Sequence, residues 1–460
     1  MTDDWREPLL HGATELVVSL QRRNPADWPG YDPQPSVRAY DLPEGGPVAV
    51  AWDFSVQGGS FGEDDAAVLQ AGCARALERR VPLLTLVRTG GTRLQEGMAA
   101  LVGIPRSVLA LQSLAEAGLP HVSVADAPTT GGVWIGVVSS ADVRVAVAGG
   151  TVGFAGPRVV EVLTGELPGP DSHTAESAYA AGLVDAVLPR EQVVDWVRGV
   201  LTTLAPTSSV GLVGVPEGDT PTEAPQVGGW EQVLRSRART ASGADLLAEL
   251  LTDRVPLQAR YADATVAACL GRLGGRPVVG VALAAELGGK PTPDGYRLAT
   301  RAYRLAARLR LPVISLVDTP GADPGPAAER DGIAPAMGEA MDALLRCPTP
   351  TVALVHGEGG SGGALAAAVA DVVLVGPDAY FAPMGPEGAT AALRRPREEC
   401  ADRMRITPED LLQLGFADRV AGADVVPEEL ERIAGLPEQE RLAARFARWS
   451  APLPGSLRHP

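Results

Sequence analysis

The sequence is short of the residues that small or secreted folds use as staples. It holds 4 cysteines in 460 residues, Cys73, Cys269, Cys347 and Cys400, far apart, with neither C-x-x-C spacing nor a neighbouring histidine. That excludes a disulfide framework and a structural zinc site, and no metal is expected. Cys73 and Cys269 stand in small-residue apolar runs and read as buried fillers rather than nucleophiles. Long apolar runs are missing as well. No stretch approaches the roughly 18 uninterrupted apolar residues of a membrane span, and Met1-Thr2-Asp3-Asp4-Trp5 has no basic, apolar leader. A cytoplasmic chain with no membrane partner is the expectation. Positive charge is in deficit, with a formal net charge of −16. Phosphate binding depends on a concentrated basic surface, so no nucleic-acid partner is expected. No Ser–His or His–Asp constellation is visible either.

What is present is apolar residues, 45% of the chain, enough to bury the cores of two ordinary domains. Comparing the chain with itself shows a repeat at an offset of about 230 residues. Val81–Gly91, an apolar β run ending in glycines, recurs as Leu311–Gly321. Each follows an apolar-periodic helical stretch, Ala66–Arg79 and Arg297–Arg310. Pro120–Val124 leads to Gly131-Gly132 as Pro350–Leu354 leads to Gly362-Gly363. Ala141-Asp142-Val143 recurs as Ala370-Asp371-Val372, and Gly156-Pro157 as Gly385-Pro386. Between the halves, Ala205–Gly229 is rich in Pro, Thr, Gly and Glu and has linker composition. The reading is α/β, with two tandem domains over 1–215 and 216–460.

A glycine pair after a buried strand lets backbone N–H groups approach a ligand with no side chain in the way. A second pair opening a nearby helix adds unpaired N–H donors and the positive end of the helix dipole. Together they can form an oxyanion hole for a developing enolate. Gly90-Gly91 with Gly131-Gly132 is one such candidate, and Gly321-Ala322 with Gly362-Gly363 is the other. Any single pair reads more simply as a turn or a close helix contact; four in matching places favour chemistry.

At these residues the sequence resembles the carboxyltransferase component of acetyl-CoA and propionyl-CoA carboxylases, in the crotonase superfamily. The first half resembles the β subunit through Gly58-Gly59-Ser60-Phe61-Gly62, Thr89–Glu96 and Gly153–Glu161. The second resembles the α subunit through Asp318–Gly325, Gly357–Ala364 and Pro386-Glu387-Gly388. The resemblance implies a β–α fusion of two crotonase-like (ββα spiral) domains. It further implies that a carboxyl group moves from carboxybiotin to the α-carbon of a short acyl-CoA through enolates held by backbone amides. By the same resemblance Gly90, Gly91, Gly131 and Gly132 hold the acyl-CoA enolate, with Thr89, Arg93, Gly58, Gly59, Phe154, Ala155 and Gly156 on the substrate side. Gly321, Ala322, Gly362 and Gly363 hold the biotin ureido oxygen, with Gly359, Gly360, Ser361, Met384 and Gly385 on the biotin side. Implied partners are an acyl-CoA or acyl-carrier thioester, a biotin carboxyl carrier protein, a biotin carboxylase and further copies of the chain. The chain has no biotin-attachment sequence of the Ala-Met-Lys-Met type, so biotin would arrive on a separate carrier. Two departures stand out: the four-cysteine zinc ribbon of bacterial β subunits is absent, and the α-like half is shortened around Leu283–Lys290.

Several polar residues have two readings. Arg93 either meets a CoA phosphate or braces Glu96, and Arg158 either binds or forms a surface salt bridge. Glu358 and Glu387 are acid–base groups or helix-end supports, and His356 is a donor or a structural histidine. Asp318 and Asp323 lack metal-like spacing. Arg394-Arg395-Pro396-Arg397 attracts phosphates or an acidic carrier, or is a solvated turn. Two other functions compete with carboxyl transfer: a biotin-independent decarboxylase of malonyl- or methylmalonyl-thioesters, and a non-catalytic scaffold.

Overall fold

A computed structural model of the chain describes residues 5–25, 27–43, 45–205, 227–260, 263–283 and 286–451. It divides into two compact units, Met1–Thr202 and Thr203–Pro460. The expected boundary between residues 215 and 216 lies outside the described residues.

In the first unit the strands are β1 (Thr14–Glu15), β2 (Val37–Asp41), β3 (Val48–Trp52), β4 (Leu83–Thr89), β5 (His121–Thr130), β6 (Val143–Val147), β7 (Val152–Gly153) and β8 (Ala186–Leu188). Their order is β1-β2-β3-β4-β5-β6-β8, with β7 beside β5. The second unit has β9 (Thr252–Leu257), β10 (Val266–Leu273), β11 (Arg276–Leu283), β12 (Val313–Thr319), β13 (Thr351–Gly360), β14 (Val372–Val375), β15 (Tyr380–Ala382) and β16 (Arg419–Val420). Here the order is β16-β14-β13-β12-β11-β10-β9, with β15 beside β13. Each sheet is antiparallel at one edge and parallel through its centre. Strands such as β3 and β12 are buried along their whole length. This is why they read as unbroken apolar runs rather than as alternations.

The repeat is present element by element. Helix Glu63–Arg79 precedes β4 as helix Pro293–Leu309 precedes β12, each of 17 residues. Each ends at an arginine in the left-handed region, Arg80 at φ 54° and Arg310 at φ 55°. Both helices begin about one turn before the apolar period does, because their starts are set by polar signals. The Asp65 carboxylate accepts from Gly62 N at 2.7 Å. At the second start Thr292 caps the helix and Pro293 fills its first position. Behind the sheets, Asp142 accepts from His121 N at 2.8 Å and Asp371 from Thr351 N at 2.9 Å. All four cysteines are buried and free. Burial pushes the Cys73 thiol up to about 12 and Cys269 to about 11, which suits fillers and not nucleophiles.

Both sheets carry the same irregularity at the parallel ends of their central strands. Between the pairs Val87↔Ala125 and Thr89↔Thr129, one residue of β4 faces three of β5. Between Val317↔Val355 and Thr319↔Gly359, Asp318 alone faces His356, Gly357 and Glu358. Such bulges re-aim the backbone that follows. After β5 the first unit winds a π-helix over Trp134–Val138, whereas the second has a short α-helix, Ser361–Leu365, in that place.

Among the described residues, helix Met98–Glu116 is long and apolar enough, by length and composition, to cross a membrane. Here it lies on Glu63–Arg79 with Ala100, Gly103, Ser107, Leu111 and Leu114 buried. Met98, Leu101, Val102 and Leu109 remain exposed.

Candidate site: two glycine turns at the strand ends

Each glycine turn follows the C-terminal end of a central parallel strand, the usual place for a ligand in such sheets. In the first unit Thr89, fully buried, bends back so that its Oγ1 accepts from Gly91 N at 3.0 Å and donates to Gly91 O at 3.4 Å. In the second, Thr319 Oγ1 does the same for Gly321, at 3.2 and 2.9 Å. Gly91 and Gly321 hold φ at 116° and 135°, values that side-chain-bearing residues rarely adopt. Thr89 is thus matched to Thr319, Gly91 to Gly321 and Thr92 to Ala322.

This register moves the donors expected from the sequence. The Gly90 amide donates to Gly58 O at 2.9 Å, and the Gly91 amide is held by Thr89. Both are spent within the protein. Thr92 forms a parallel bridge with Phe61 in which Gly91 O and Arg93 N carry the bonds. The Thr92 N–H therefore points away from Phe61 and has no acceptor among the described residues. The Gly132 amide, in the first turn of its helix, is likewise open. Gly131 (φ 78°) supplies the sharp bend ahead of it, and a Cβ there would stand 2.9 Å from Gly91 Cα. In the first unit the amides of the expected donors Gly90 and Gly91 are both engaged, and the open ones are those of Thr92 and Gly132.

In the second unit the Gly321 amide is held by Thr319, while the amides of Ala322 and Gly362 have no acceptor among the described residues. The residue matched to Gly131 is Ser361, also left-handed at φ 60°. Gly363 packs against the turn, its would-be Cβ 2.5 Å from Ala322 N. On Gly360 a Cβ would strike the Pro320 carbonyl, and on Gly359 it would strike the Phe381 ring. Gly359 and Gly360 therefore permit close approach rather than donate. Ser361 and Met384 are exposed, and Gly385 caps the helix Pro386–Leu393.

Two substrate-side expectations are corrected. Arg93 is 1% exposed. It reaches Asp65 at 2.7 Å and Glu96 at 3.4 Å. It also donates to Gln34 O at 2.9 Å, Ser60 Oγ at 3.2 Å and Ser60 O. It ties the loop before β2 to the turn and cannot meet a phosphate. Burial pushes the Asp65 carboxyl up to about 6 against the pull of Arg93 and three backbone amides. Gly58 and Gly59 buttress the turn rather than face a ligand. Gly58 O takes the Gly90 amide, and a Cβ on Gly59, at φ 63°, would strike the Arg88 carbonyl. Phe154, at 72%, is exposed, with Ala155 and Gly156 leading into the helix Pro157–Thr164.

The bulge residues of the second unit form a buried polar network. Asp318 Oδ1 accepts from Arg239 at 2.5 Å and from Glu358 N at 3.0 Å. Glu358 Oε2 accepts from Tyr380 Oη at 2.7 Å and Arg237 Nε at 3.0 Å, and Arg237 also holds Glu387 at 2.6 Å. That hydrogen bond lowers the Glu387 pKa, and Arg237 holds both glutamates as ion-pair partners. His356 stands 3.7 Å from Asp318. Burial drives its pKa down to about 4 despite that carboxylate, so it is neutral at pH 7. Asp323 accepts from Gly325 N at 2.8 Å. Arg158 is exposed. Arg397 lies over the Trp230 ring, 4.4 Å from its centroid, and pairs with Glu398 at 3.1 Å.

Beside the first turn opens a cleft of about 540 Å³, whose lining includes Arg6, Arg38, Arg88 and Arg190 against Asp53 and Asp126. Arg88 immediately precedes Thr89, and its guanidinium lies 4.5 Å from the centre of the Phe54 ring. None of the expected site residues lines this cleft.

Thr92 was not singled out by sequence reasoning. Thr92 was legible in principle, because setting Thr89 against Thr319 places it opposite Ala322.

Residues 229–432 match the family described as acetyl co-enzyme A carboxylase carboxyltransferase-like. The acetyl-coenzyme A carboxylase carboxyl transferase subunits beta/alpha of Salinispora tropica are 39% identical over 403 residues, 81% of this chain and 70% of that protein. The probable biotin-dependent acyl-coenzyme A carboxylase beta3 subunit of Mycobacterium tuberculosis is 33% identical over 427 residues, 87% of this chain and 86% of that one. Among solved structures, transcarboxylase 12S shares the fold at a TM-score of 0.77 and 23% identity, over 94% of this chain and 88% of that one. With both glycine turns in place and relatives matched along most of their length, the chain belongs to the acetyl-CoA carboxylase carboxyltransferase family.

Proposed function

We propose that the chain is the carboxyltransferase component of a biotin-dependent acyl-CoA carboxylase, with acyl-CoA at the first turn and biotin at the second. The observation that carries this reading is the pair of like turns, each with two open amides, Thr92 with Gly132 and Ala322 with Gly362. Carboxyl transfer needs two carbonyl oxygens to bear enolate-like charge, and each turn offers donors for one of them. The arginine-lined cleft beside the first turn suits the phosphates of coenzyme A. The open Ala322 and Gly362 amides suit the single carbonyl oxygen of a urea.

Biotin, brought on a separate carrier, supplies the activated carboxyl group. The chain's own part is to fix the amides, exclude alternatives by close glycine packing, and orient the two reactants. The biotin carboxylase and carrier are partners by the same reading, and the enzyme works in the cytoplasm. Transcarboxylase 12S assembles as a hexamer. Exposed Met98, Leu101, Val102 and Leu109 on one helix, with Val159, Val162 and Leu163 on another, support association of this chain with further copies.

The test is to follow acetyl-CoA and CO2 released from malonyl-CoA by the purified chain, with and without biocytin. Turnover that requires biocytin is expected. Rapid CO2 release without it would instead establish a thioester decarboxylase, and absence of any acyl-CoA binding a scaffold.

A further inference from the structure

The bulge behind each turn is gripped by one side chain, and the two units do this with opposite charges. Setting Thr89 against Thr319 places Arg88 against Asp318, and each is the single residue that faces three on the neighbouring strand. Asp318 is buried, and its Oδ1 accepts from Glu358 N at 3.0 Å. Arg88 Nε donates to Ala127 O at 2.7 Å. In register these are the two ends of one peptide group, because Ala127-Pro128 matches Gly357-Glu358. Proline has no N–H to offer, so the first unit holds this peptide by its carbonyl, with a cation. The second holds it by its N–H, with an anion. Both the gripping side chain and the gripped peptide differ between the units, yet the grip is kept.

The grip lies directly behind the open amides. Thr319 and Gly359 are paired, and each is followed three residues later by an open amide, Ala322 on one arm and Gly362 on the other. The offset between the two arms is set in the bulge, where the ladder is interrupted and the Asp318 carboxylate carries the bond across. Arg239 fixes that carboxylate, donating to Oδ1 at 2.5 Å while it is itself tied to Ser236 Oγ at 2.7 Å. The fit is close, since a Cβ on Gly357 would strike both Asp318 Oδ1 and the Arg239 guanidinium.

We propose that Asp318 is a positioning residue for the second turn: by holding the Glu358 amide it sets the offset between the Ala322 and Gly362 amides, and so their joint aim at one oxygen of the ligand. It acts through the backbone and does not touch the ligand. This rests on the assignment of that turn to biotin.

The experiment compares Asp318→Asn with the double variant Asp318→Ala/Arg239→Met, each in the full chain, assayed with malonyl-CoA and biocytin. The asparagine oxygen stays with its two donors, Glu358 N and Arg239, and its NH2 group turns to His356 Nε2, which has no partner. The double variant deletes the acceptor without leaving an arginine bereft of its anion. Expected in the double variant are a fall of about ten- to hundredfold in kcat/KM for biocytin and an unchanged KM for malonyl-CoA. Asp318→Asn should restore kcat/KM for biocytin to near the parent's value. A carboxylate that only stabilises the fold would lower Tm and leave kcat/KM for biocytin unchanged, and that result overturns the proposal. Equal losses toward both substrates overturn it as well, as does an Asp318→Asn variant that loses as much as the double variant. Should the double variant not melt cooperatively, Arg239→Gln, which frees the carboxylate to turn but keeps it, decides in its place. The same selective loss at smaller size supports the proposal, and an unchanged kcat/KM for biocytin overturns it. If the parent chain is active on malonyl-CoA yet indifferent to biocytin, the biotin assignment of the second turn fails and this proposal falls with it. Dependence of the parent on biocytin alongside an unaffected double variant sinks the proposal alone.

Discussion

The two threonine latches offer the sharpest test of the site. Thr89→Val and Thr319→Val keep the β-branched shape of the side chain and delete only the hydroxyl that clasps Gly91 or Gly321. The Thr89 change strands the Gly91 amide, which is buried and has Thr89 Oγ1 as its acceptor. An unmet buried donor costs about 1–3 kcal/mol, and in a unit of this size each kcal/mol lowers Tm by roughly 2–4 °C. The same loss frees the turn to drift, so that the Thr92 amide no longer points where charge develops. Every 1.4 kcal/mol of lost alignment is about tenfold in rate, so a ten- to hundredfold fall in turnover is expected. The substrate affected separates the two sites. Thr89→Val should reduce kcat/KM for malonyl-CoA and spare the KM for biocytin, and Thr319→Val should do the reverse. Steady-state assays varying each substrate in turn, with thermal melts alongside, measure all of this. If both variants melt like the parent and retain its rates, the hydroxyls do not hold the turns and the reasoning is wrong.

Three further outcomes follow from the geometry. Gly363→Ala should abolish biocytin-dependent turnover, because its Cβ would stand 2.5 Å from Ala322 N, whereas Gly362→Ala, with nothing within 4 Å, should leave Tm nearly unchanged. Arg93→Met should lower urea-unfolding stability by about 3–5 kcal/mol, since it leaves the Asp65 carboxylate buried without its cation; a raised malonyl-CoA KM without loss of stability would instead restore Arg93 to the substrate side. His356, with its folded pKa near 4 against about 6.5 unfolded, takes up its proton in the unfolded chain first. Its contribution to stability is therefore complete above about pH 6.5 and lost as pH falls from there toward 4, by at most about 1.4 kcal/mol per pH unit. His356→Phe should flatten that part of the stability–pH curve.

Much of the architecture could be read from the chain, because central parallel strands are buried on both faces and leave long apolar runs in both halves. The duplication was legible for the same reason: β4 and β12 keep their length, their closing threonine and the glycine two residues later. What was lost was a single residue of register. Which amide of a glycine turn is open depends on which way each peptide faces, and at Thr92 that is set by the bridge to Phe61, distant in sequence. Arg93 misled in a similar way. An arginine after a loop glycine looks solvated, and its acceptors Ser60 and Gln34 lie on segments that nothing local connects to it. Tyr296 sits on the apolar stripe of its helix, where an aromatic reads as core. Its ring is core, and only its buried, unpartnered hydroxyl sets it apart.

The wide turn at Trp134–Val138 has a consequence for how the two halves could grow unlike each other. Between β5 and the aspartate that latches it, the first unit is one residue longer than the second. A π turn is the form in which a helix takes up one extra residue. The surplus is absorbed within a few residues: Gly132 still opens the helix beside Thr92, and Asp142 still reaches His121 N as Asp371 reaches Thr351 N. An insertion has thus been quarantined between two fixed points, beside the first glycine turn. It swings Ile135 outward without touching the amide before it or the strand after it. After duplication, one copy could change the surface beside its glycine turn while both copies kept the turn itself in frame.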